Sequence, residues 1–249
     1  MGRIEQNTDM ANVADTAVVT GSSSGIGLAL SRMLVKNGYE VFGFGRNFER
    51  AEAQEFCKEQ PEKFHAVVCD ITDTQALCAH IKEIDKNYRV TVLVNNAGVG
   101  YYGLHEELNP KKIQKMVRTN LEAPMILTQQ LLRTLKKNRG TVLNISSVTA
   151  GQSNPHGCAY GATKAGLSGF AKSLFDEVRK YGVRVITIQP DMAKTDLYRN
   201  ADFCEGEEEA SYLLPEEVAE AAAFALAQRE GLVVTEITVK PQFHRIRRK

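Results

Sequence analysis

Tryptophan is absent from the sequence, and the five cysteines are scattered without a C-x-x-C pair. An odd number of separated cysteines argues against a disulfide framework and a zinc site, and it favours a reducing compartment. An excess of charge of one sign is also lacking, because 31 basic and 30 acidic residues leave a formal net charge of +1. This balance gives no electrostatic reason to expect binding to nucleic acid or to a membrane surface. The five histidines have no metal-ligand spacing, so no metal site is predicted.

Long apolar runs are missing as well. No stretch reaches the length of a membrane span, and residues 1–13 lack the apolar segment of a signal peptide. We therefore expect a cytoplasmic protein without a membrane partner, and a flexible N-terminal leader over residues 1–13. The remaining length fits one large α/β domain.

A glycine-rich stretch, Thr20–Gly27, follows the first apolar run and precedes a segment with helical periodicity. Glycine permits positive φ and a close approach of the backbone to a ligand. The N–H groups at the start of a helix favour an anion such as a pyrophosphate. The spacing G-x-x-x-G-x-G is not that of the commonest dinucleotide fingerprint, so a turn of small residues without a ligand is the alternative. The candidate nucleotide contacts in this stretch are Gly21, Ser23, Ser24, Gly25, Ile26 and Gly27.

Strand patterns alternate with helical patterns along the rest of the chain. They predict strands near 15–20, 41–44, 64–69, 91–94, 140–146, 183–188 and 233–239. A long helical region is predicted over about 110–137, where Pro124 kinks or divides it. The alternation indicates a doubly wound α/β fold, with seven parallel strands and helices on both faces. We interpret residues 14–243 as a single domain and residues 244–249 as a basic C-terminal tail.

Ser147, Tyr160 and Lys164 follow the fifth predicted strand, at the edge where ligands of such sheets bind. Tyr160 and Lys164 are four residues apart, so they share one face of a helix. A nearby ammonium lowers the pKa of a phenol, which could then exchange a proton with an alcohol or carbonyl oxygen. The serine hydroxyl could hydrogen-bond the same oxygen. The alternative is a surface Tyr–Lys pair on an amphipathic helix.

Together with the N-N-A-G of Asn95–Gly98 and with Asn120, these motifs resemble the short-chain dehydrogenase/reductase family over about residues 14–240. The resemblance implies a Rossmann-like fold, and it implies that Tyr160 is the catalytic acid/base. Lys164 would lower the pKa of Tyr160 and bind the nicotinamide ribose, and Ser147 would orient the substrate oxygen. Asn120 would hold a water that links Lys164 to a proton relay. The further cofactor contacts that the resemblance implies are Asp70, Ile71, Asn96, Ala97, Gly98, Pro190 and Thr195.

The choice of cofactor rests on the end of the second predicted strand. Gly45 and Arg46 stand where NAD-preferring members of that family have an acidic residue. Loss of a carboxylate and gain of a guanidinium suit the 2′-phosphate of NADP(H), with NAD(H) as the less favoured cofactor. Ser24 stands where many NADP-binding members have a basic residue, and Arg46 as a solvated loop residue is the alternative.

The substrate side is less well defined by the sequence. Asp191 replaces the glycine of the family's Pro-Gly after strand six, so we expect a different local backbone there. The acidic run Glu205–Glu209 and the basic tail are interpreted as solvated, and contact of the tail with nucleic acid or an acidic partner is the alternative. The candidate pocket residues are Tyr101, Tyr102, His156, Met192 and Tyr198.

Two functions follow from these observations. The first is an NADP(H)-dependent oxidoreductase that transfers a hydride between the nicotinamide and a small or medium carbonyl compound or secondary alcohol. The alternative is a non-catalytic nucleotide-binding regulator or redox sensor on the same fold. The family resemblance also implies a homodimer or homotetramer. The substrate and the favoured direction of reaction are not identified.

Overall fold

The computed structural model describes residues 14–249, and the predicted leader over 1–13 lies outside this range. The strands are β1 Asp15–Thr20, β2 Glu40–Gly45, β3 Phe64–Val68, β4 Arg89–Asn95, β5 Thr141–Ile145, β6 Arg184–Pro190, β7 Phe203–Glu205, β8 Glu236–Val239 and β9 Ile246–Arg248. Seven of them form one sheet in the order β3-β2-β1-β4-β5-β6-β8, with every neighbouring pair parallel. The predicted seven-stranded parallel sheet is confirmed.

Helices cover both faces of this sheet. They are α1 Gly25–Lys36, α2 Ala51–Glu59, α3 Thr74–Asn87, α4 Pro110–Val117, α5 Ala123–Asn138, α6 Cys158–Val178 and α7 Pro215–Leu226. On one face, the buried core contains Leu34 of α1, Phe56 of α2 and Val218 of α7. On the other face, it contains side chains of α3, α5 and α6. Burial of each large apolar side chain contributes roughly 1.5–3 kcal/mol, which holds the three layers together.

The strand order reverses at the centre of the sheet, because β1 pairs with β2 on one side and with β4 on the other. The connections after β1 and β4 therefore leave in opposite directions and open a crevice at the carboxyl ends of the strands. The predicted site residues follow these strand ends.

The long helical region differs from the prediction in where it divides. A π-helical turn, Arg118–Glu122, separates α4 from α5. Pro124 is the second residue of α5 and comes directly after this turn. The start of α4 is fixed by Asn109, whose side chain accepts a hydrogen bond of 2.8 Å from the N–H of Lys111.

The C-terminal region also differs from the prediction. The strand expected over 233–239 begins only at Glu236, after a turn in which Gly231 has a φ of +83°. The tail is not simply solvated, because Ile246–Arg248 forms β9 and pairs antiparallel with β7. The acidic run that follows β7 carries the opposite charge, so the two segments attract each other. None of the helices in residues 14–249 has the length and apolar character needed to cross a membrane.

Candidate active site

The turn between β1 and α1 has a conformation that requires glycine. Gly21 and Gly25 have φ values of +69° and +52°, which residues with a side chain rarely adopt. A Cβ at Gly27 would overlap the carbonyl oxygen of Gly21. The N–H groups in the first turn of α1 have no partner within the helix, and the residues that carry them line a cleft. The turn is therefore suited to an anionic group.

The segment after β4 packs against the glycine turn and is hydrogen-bonded to it. The hydroxyl of Thr20 accepts hydrogen bonds from the backbone N–H groups of Asn96 and Ala97, each of 3.0 Å. The Asn96 side chain donates a hydrogen bond of 2.8 Å to the carbonyl oxygen of Thr20. A Cβ at Gly21 would lie 2.9 Å from Ala97 Cα. The N-N-A-G segment thus fixes the glycine turn through these hydrogen bonds, and the close approach of Ala97 leaves no room for a side chain at Gly21.

Ser147, Tyr160 and Lys164 converge beside the same cleft. Their exposed fractions are 8%, 3% and 3%. Lys164 Nζ donates a hydrogen bond of 2.8 Å to the carbonyl oxygen of Ile145 and lies 5.8 Å from the centroid of the Tyr160 ring. Ser147 Oγ accepts hydrogen bonds from the N–H and the hydroxyl of Thr149, at 3.2 and 3.0 Å. The hydroxyl hydrogen of Ser147 is therefore available to another acceptor.

The pKa of Tyr160 is shifted in the direction opposite to the expected one. Burial raises the pKa of the phenol, and a hydrogen bond with the Ser147 side chain opposes this rise only in part. Burial also lowers the pKa of Lys164 to about 8. Loss of solvation is thus the largest cause of the Tyr160 shift, and the Lys164 ammonium is held by the carbonyl oxygen of Ile145. The lowering of the Tyr160 pKa by the charge of Lys164 stays a prediction.

Asn120 lies behind the cleft, in the π-helical turn, and is fully buried. Its Oδ1 accepts a hydrogen bond of 2.9 Å from the N–H of Val99. Its Nδ2 donates to the carbonyl oxygen of Val99 at 2.9 Å and to the Thr163 hydroxyl at 3.1 Å. The side chain thus ties the segment after β4 to α6. Its water-holding role stays a prediction.

Arg46 and Asp70 lie at the other end of the cleft, after β2 and β3. Burial raises the pKa of Asp70, but hydrogen bonds from Thr72 and the charges of Arg46 and Lys115 outweigh it, so the net pKa is lowered. A Cβ at Gly45 would lie 3.0 Å from Ser23 Cβ, so the end of β2 packs closely on the glycine turn. Arg46, which follows Gly45, lines the same cleft as the glycine turn.

A single cleft of about 210 Å³ brings these residues together. Among the predicted site residues, Asn120 alone is not in its wall. The predicted residues that line it are Gly21, Ser23, Ser24, Gly25, Ile26, Gly27, Arg46, Asp70, Ile71, Asn96, Ala97, Gly98, Ser147, Tyr160, Lys164, Pro190 and Thr195.

Comparison with known proteins agrees with this geometry. A family model described as short chain dehydrogenase matches residues 15–203. The chain belongs to the short-chain dehydrogenase family. This membership makes it an oxidoreductase.

Several relatives and solved structures resemble this short-chain dehydrogenase. A serine 3-dehydrogenase of Agrobacterium fabrum is 38% identical over 186 residues, which are 74% of each chain. A 3-oxoacyl-[acyl-carrier-protein] reductase of Rickettsia conorii is 34% identical over 233 residues, 90% of this chain and 93% of that one. An alcohol dehydrogenase of Thermococcus sibiricus, solved with 5-hydroxy-NADP, has a TM-score of 0.83 and 27% identity and covers 93% of this chain and 98% of its own.

Asp191 is where this short-chain dehydrogenase departs from the family pattern. Its backbone N–H donates a hydrogen bond of 2.9 Å to the carbonyl oxygen of Val239, so the pairing of β6 with β8 continues through it. Its Oδ1 accepts a hydrogen bond of 2.9 Å from the N–H of Met192 and lies 3.8 Å from His244 Nδ1. The side chain therefore connects the cleft to the C-terminal segment.

The candidate substrate residues are only partly in the cleft wall. Tyr198 lines it, whereas Tyr102 packs behind it, with ring centroids 5.7 Å from Tyr160 and 5.9 Å from Tyr198. The other three candidates lie elsewhere: Met192 is buried, Tyr101 packs under Lys112, and His156 is exposed with a φ of +62°.

Sequence reasoning missed several residues of the cleft wall. They are Lys115, Thr119, Asp196, Leu197 and Arg199. Lys115 and Thr119 are four residues apart in a helical region, which is the one signal that could have placed them on a common face. The other three lie in a 3₁₀-helix after β6, Asp196–Asn200, whose sequence carries no recognisable pattern.

Proposed function

We propose that this chain is an NADP(H)-dependent oxidoreductase that interconverts a carbonyl compound and a secondary alcohol, with Tyr160 as the acid/base. The observation that carries the proposal is the convergence of Ser147, Tyr160 and Lys164 with the glycine turn in one cleft. A cradle for an anion at one end and a proton donor at the other are the two parts that such a reaction needs.

The residues present fit a phosphorylated dinucleotide. The glycine turn supplies N–H groups at the start of α1 and excludes any Cβ at Gly27. Arg46 adds a guanidinium beside that turn, and no carboxylate ends β2. The Thermococcus sibiricus structure, which holds an NADP derivative, supports the same choice of cofactor. When bound, the nicotinamide would supply or accept the hydride.

Protein side chains donate the proton and stabilise the charge that remains after its transfer. Tyr160 is protonated at neutral pH because burial raises its pKa, so it donates its proton to a carbonyl oxygen during reduction. Ser147 donates a hydrogen bond to the same oxygen and orients it. Lys164 is mostly protonated at neutral pH, and its charge stabilises the phenolate that remains after proton transfer. The oxidation of an alcohol uses the same contacts in reverse.

The test is a panel of carbonyl compounds offered with NADPH, with Tyr160→Phe as the variant. Loss of the phenolic proton is expected to lower turnover by at least about 10²-fold, the range for removal of a general acid. Tyr181→Phe, at an exposed tyrosine after α6, is the matched control and should leave turnover unchanged. NADPH binding without turnover of any compound would instead support the regulator.

We also propose that the chain forms a homodimer or homotetramer, as the family resemblance implies. The exposed apolar side chains Val117 and Met125, on the adjoining helices α4 and α5, are consistent with a covered surface. Light scattering on the purified protein would give the mass of the assembly, and a monomer at all concentrations would contradict the proposal.

A further inference from the structure

The acidic run and the basic end of the chain form one structure beside the active-site cleft. In the register of β7 with β9, Phe203 lies opposite Arg248, Cys204 opposite Arg247, and Glu205 opposite Ile246. The N–H of Gly206 donates to the carbonyl oxygen of Arg245 at 3.1 Å, and the N–H of Lys249 donates to that of Asp202 at 2.8 Å. We call residues 243–249 the C-terminal strap.

Ion pairs further stabilise the pairing of β7 with β9. Arg245 forms an ion pair with Glu208, and Arg247 forms one with Glu207 at 3.2 Å. Lys249 Nζ donates a hydrogen bond of 2.6 Å to the carbonyl oxygen of Tyr198. The strap therefore contacts the segment 198–208 at both ends of that segment.

The segment 198–208 carries two aromatic side chains that pack on Tyr102. Tyr102 in turn packs on Tyr160, the candidate acid/base. Phe203 and Tyr198 have ring centroids 5.4 Å apart, and they lie 5.2 and 5.9 Å from the ring of Tyr102. Tyr102 in turn lies 5.7 Å from the ring of Tyr160. A continuous series of ring contacts thus runs from β7 to Tyr160, and we call Tyr102, Tyr198 and Phe203 the aromatic wall.

We propose that the C-terminal strap is a positioning element of the substrate site, which holds the aromatic wall against Tyr160 and so selects compact substrates. This inference rests on the proposed function. Of the three rings, Tyr198 lines the cleft, while Tyr102 and Phe203 pack behind it. The Tyr198 ring face favours an uncharged carbon body over a charged group. The substrate class is therefore a carbonyl compound or secondary alcohol whose body is compact and uncharged where it meets Tyr198.

The first experiment tests the position of the strap without any turnover. Arg247 Nη2 lies 3.7 Å from Cys204 Sγ and the two residues are opposite each other in the strand pair, so Arg247→Cys places a thiol next to a native one. Arg248→Cys is the matched control, because Arg248 lies opposite Phe203 and neighbouring side chains of a strand point to opposite faces. Mild oxidation should cross-link Cys204 in the first variant and not in the second, as measured by peptide mass. Equal cross-linking in both variants, or in neither, would overturn the placement.

The second experiment tests the role of the strap by charge inversion. Arg245→Glu breaks the pair with Glu208 and adds repulsion, whereas Arg248→Glu makes the same charge change where residues 14–249 offer no carboxylate partner. We expect Arg245→Glu to lower kcat/KM about fivefold for a compact ketone, and less for a bulky one. Arg248→Glu should change kcat/KM by less than about twofold, and adding Glu208→Arg to Arg245→Glu should restore it.

The dissociation constant for NADPH, measured by fluorescence titration, separates positioning from loss of structure. It should stay within about twofold of the wild-type value in all three variants, because the strap contacts the substrate side of the cleft. If Arg245→Glu behaves like Arg248→Glu, or if the reversed pair does not restore kcat/KM, the strap has no positioning role. A wild-type protein that turns over no carbonyl compound would refute the proposed function, while the cross-linking result would still decide where the strap lies.

Discussion

Lys164 Nζ donates a hydrogen bond of 2.8 Å to the carbonyl oxygen of Ile145, at a site where the lysine is only 3% exposed. A cation in this position is costly, because burial removes most of its hydration shell. Burial accordingly lowers the pKa of Lys164 from 10.5 to about 8. The protein therefore keeps a destabilising charge next to the candidate acid/base.

The first prediction concerns stability and pH. Below pH 8 Lys164 is charged in both the folded and the unfolded protein, so the full cost of burial is present. Between about pH 8 and 10.5 the unfolded chain keeps the proton and the folded protein loses it, so the free energy of unfolding rises with pH. Lys164→Met removes this titration. The wild type should gain on the order of 3 kcal/mol relative to this variant across that range.

Urea unfolding of the wild type and of Lys164→Met at several pH values gives this difference directly. The comparison cancels other groups that titrate in the same range, since both proteins share them. A constant difference between pH 7 and 10.5 would mean that Lys164 titrates normally in the folded protein.

The second prediction concerns Gly27. A Cβ there would overlap the carbonyl oxygen of Gly21, and neither backbone can move without disturbing the turn. Gly27→Ala should lower the free energy of unfolding by about 1–3 kcal/mol and weaken NADPH binding at least about tenfold. Gly169→Ala is the matched control, because nothing lies within 4 Å of a Cβ at this helical position. The control should be neutral or stabilising by up to about 1 kcal/mol, as measured by urea unfolding and fluorescence titration.

The third prediction concerns cofactor choice. Arg46→Ala should raise the dissociation constant for NADPH by roughly tenfold or more, the effect of losing a charged hydrogen bond to a phosphate. The constant for NADH should change by less than about twofold, since NADH lacks the 2′-phosphate. Arg133→Ala, at an exposed arginine of α5, is the control. Equal weakening of both cofactors by Arg46→Ala would contradict the NADP(H) assignment.

The fourth prediction concerns an ion pair between the two sides of the cleft. Arg50, before α2, pairs with Asp196 in the segment after β6, and the two side chains are 55% and 40% exposed. Asp196→Asn should speed NADPH release about threefold, because an exposed pair contributes about 0.2–1 kcal/mol. The difference from wild type should shrink at high salt. Asp176→Asn, on α6, is the control, because it breaks an exposed pair with Arg179, and stopped-flow fluorescence gives the rates.

Much of the fold was predictable because the central strands of the sheet are apolar runs that alternate with segments of helical periodicity. Val18 and Leu93, for example, are fully buried in adjacent strands, and both stand in uninterrupted apolar runs. Most site residues could be placed because they come directly after strands, and ligands of a parallel sheet bind at the carboxyl ends of its strands.

Long-range contacts account for what could not be predicted. The π-helical turn is stabilised at Asn120 by Val99 and Thr163, which are 21 and 43 residues away. β9 has the composition of a solvated tail, and it becomes a strand only because Phe203–Glu205 lies beside it. The direction of the Tyr160 pKa shift depends on burial, which the Tyr-x-x-x-Lys spacing does not reveal.

The reversal of strand order at β1 has a consequence for recombination between relatives. Residues before about position 99 build the glycine turn and the Arg46 end of the cleft, and later residues build the proton-transfer and substrate end. Contacts that join these parts across the cleft include the ion pair of Arg50 with Asp196, the hydrogen bond that Arg118 donates to the carbonyl oxygen of Thr72, and the methyl of Thr195, which would lie 3.1 Å from a Cβ at Gly25. A chimaera joined near residue 99 that keeps these contacts would inherit the choice between NADP(H) and NAD(H) from one parent and its substrate range from the other.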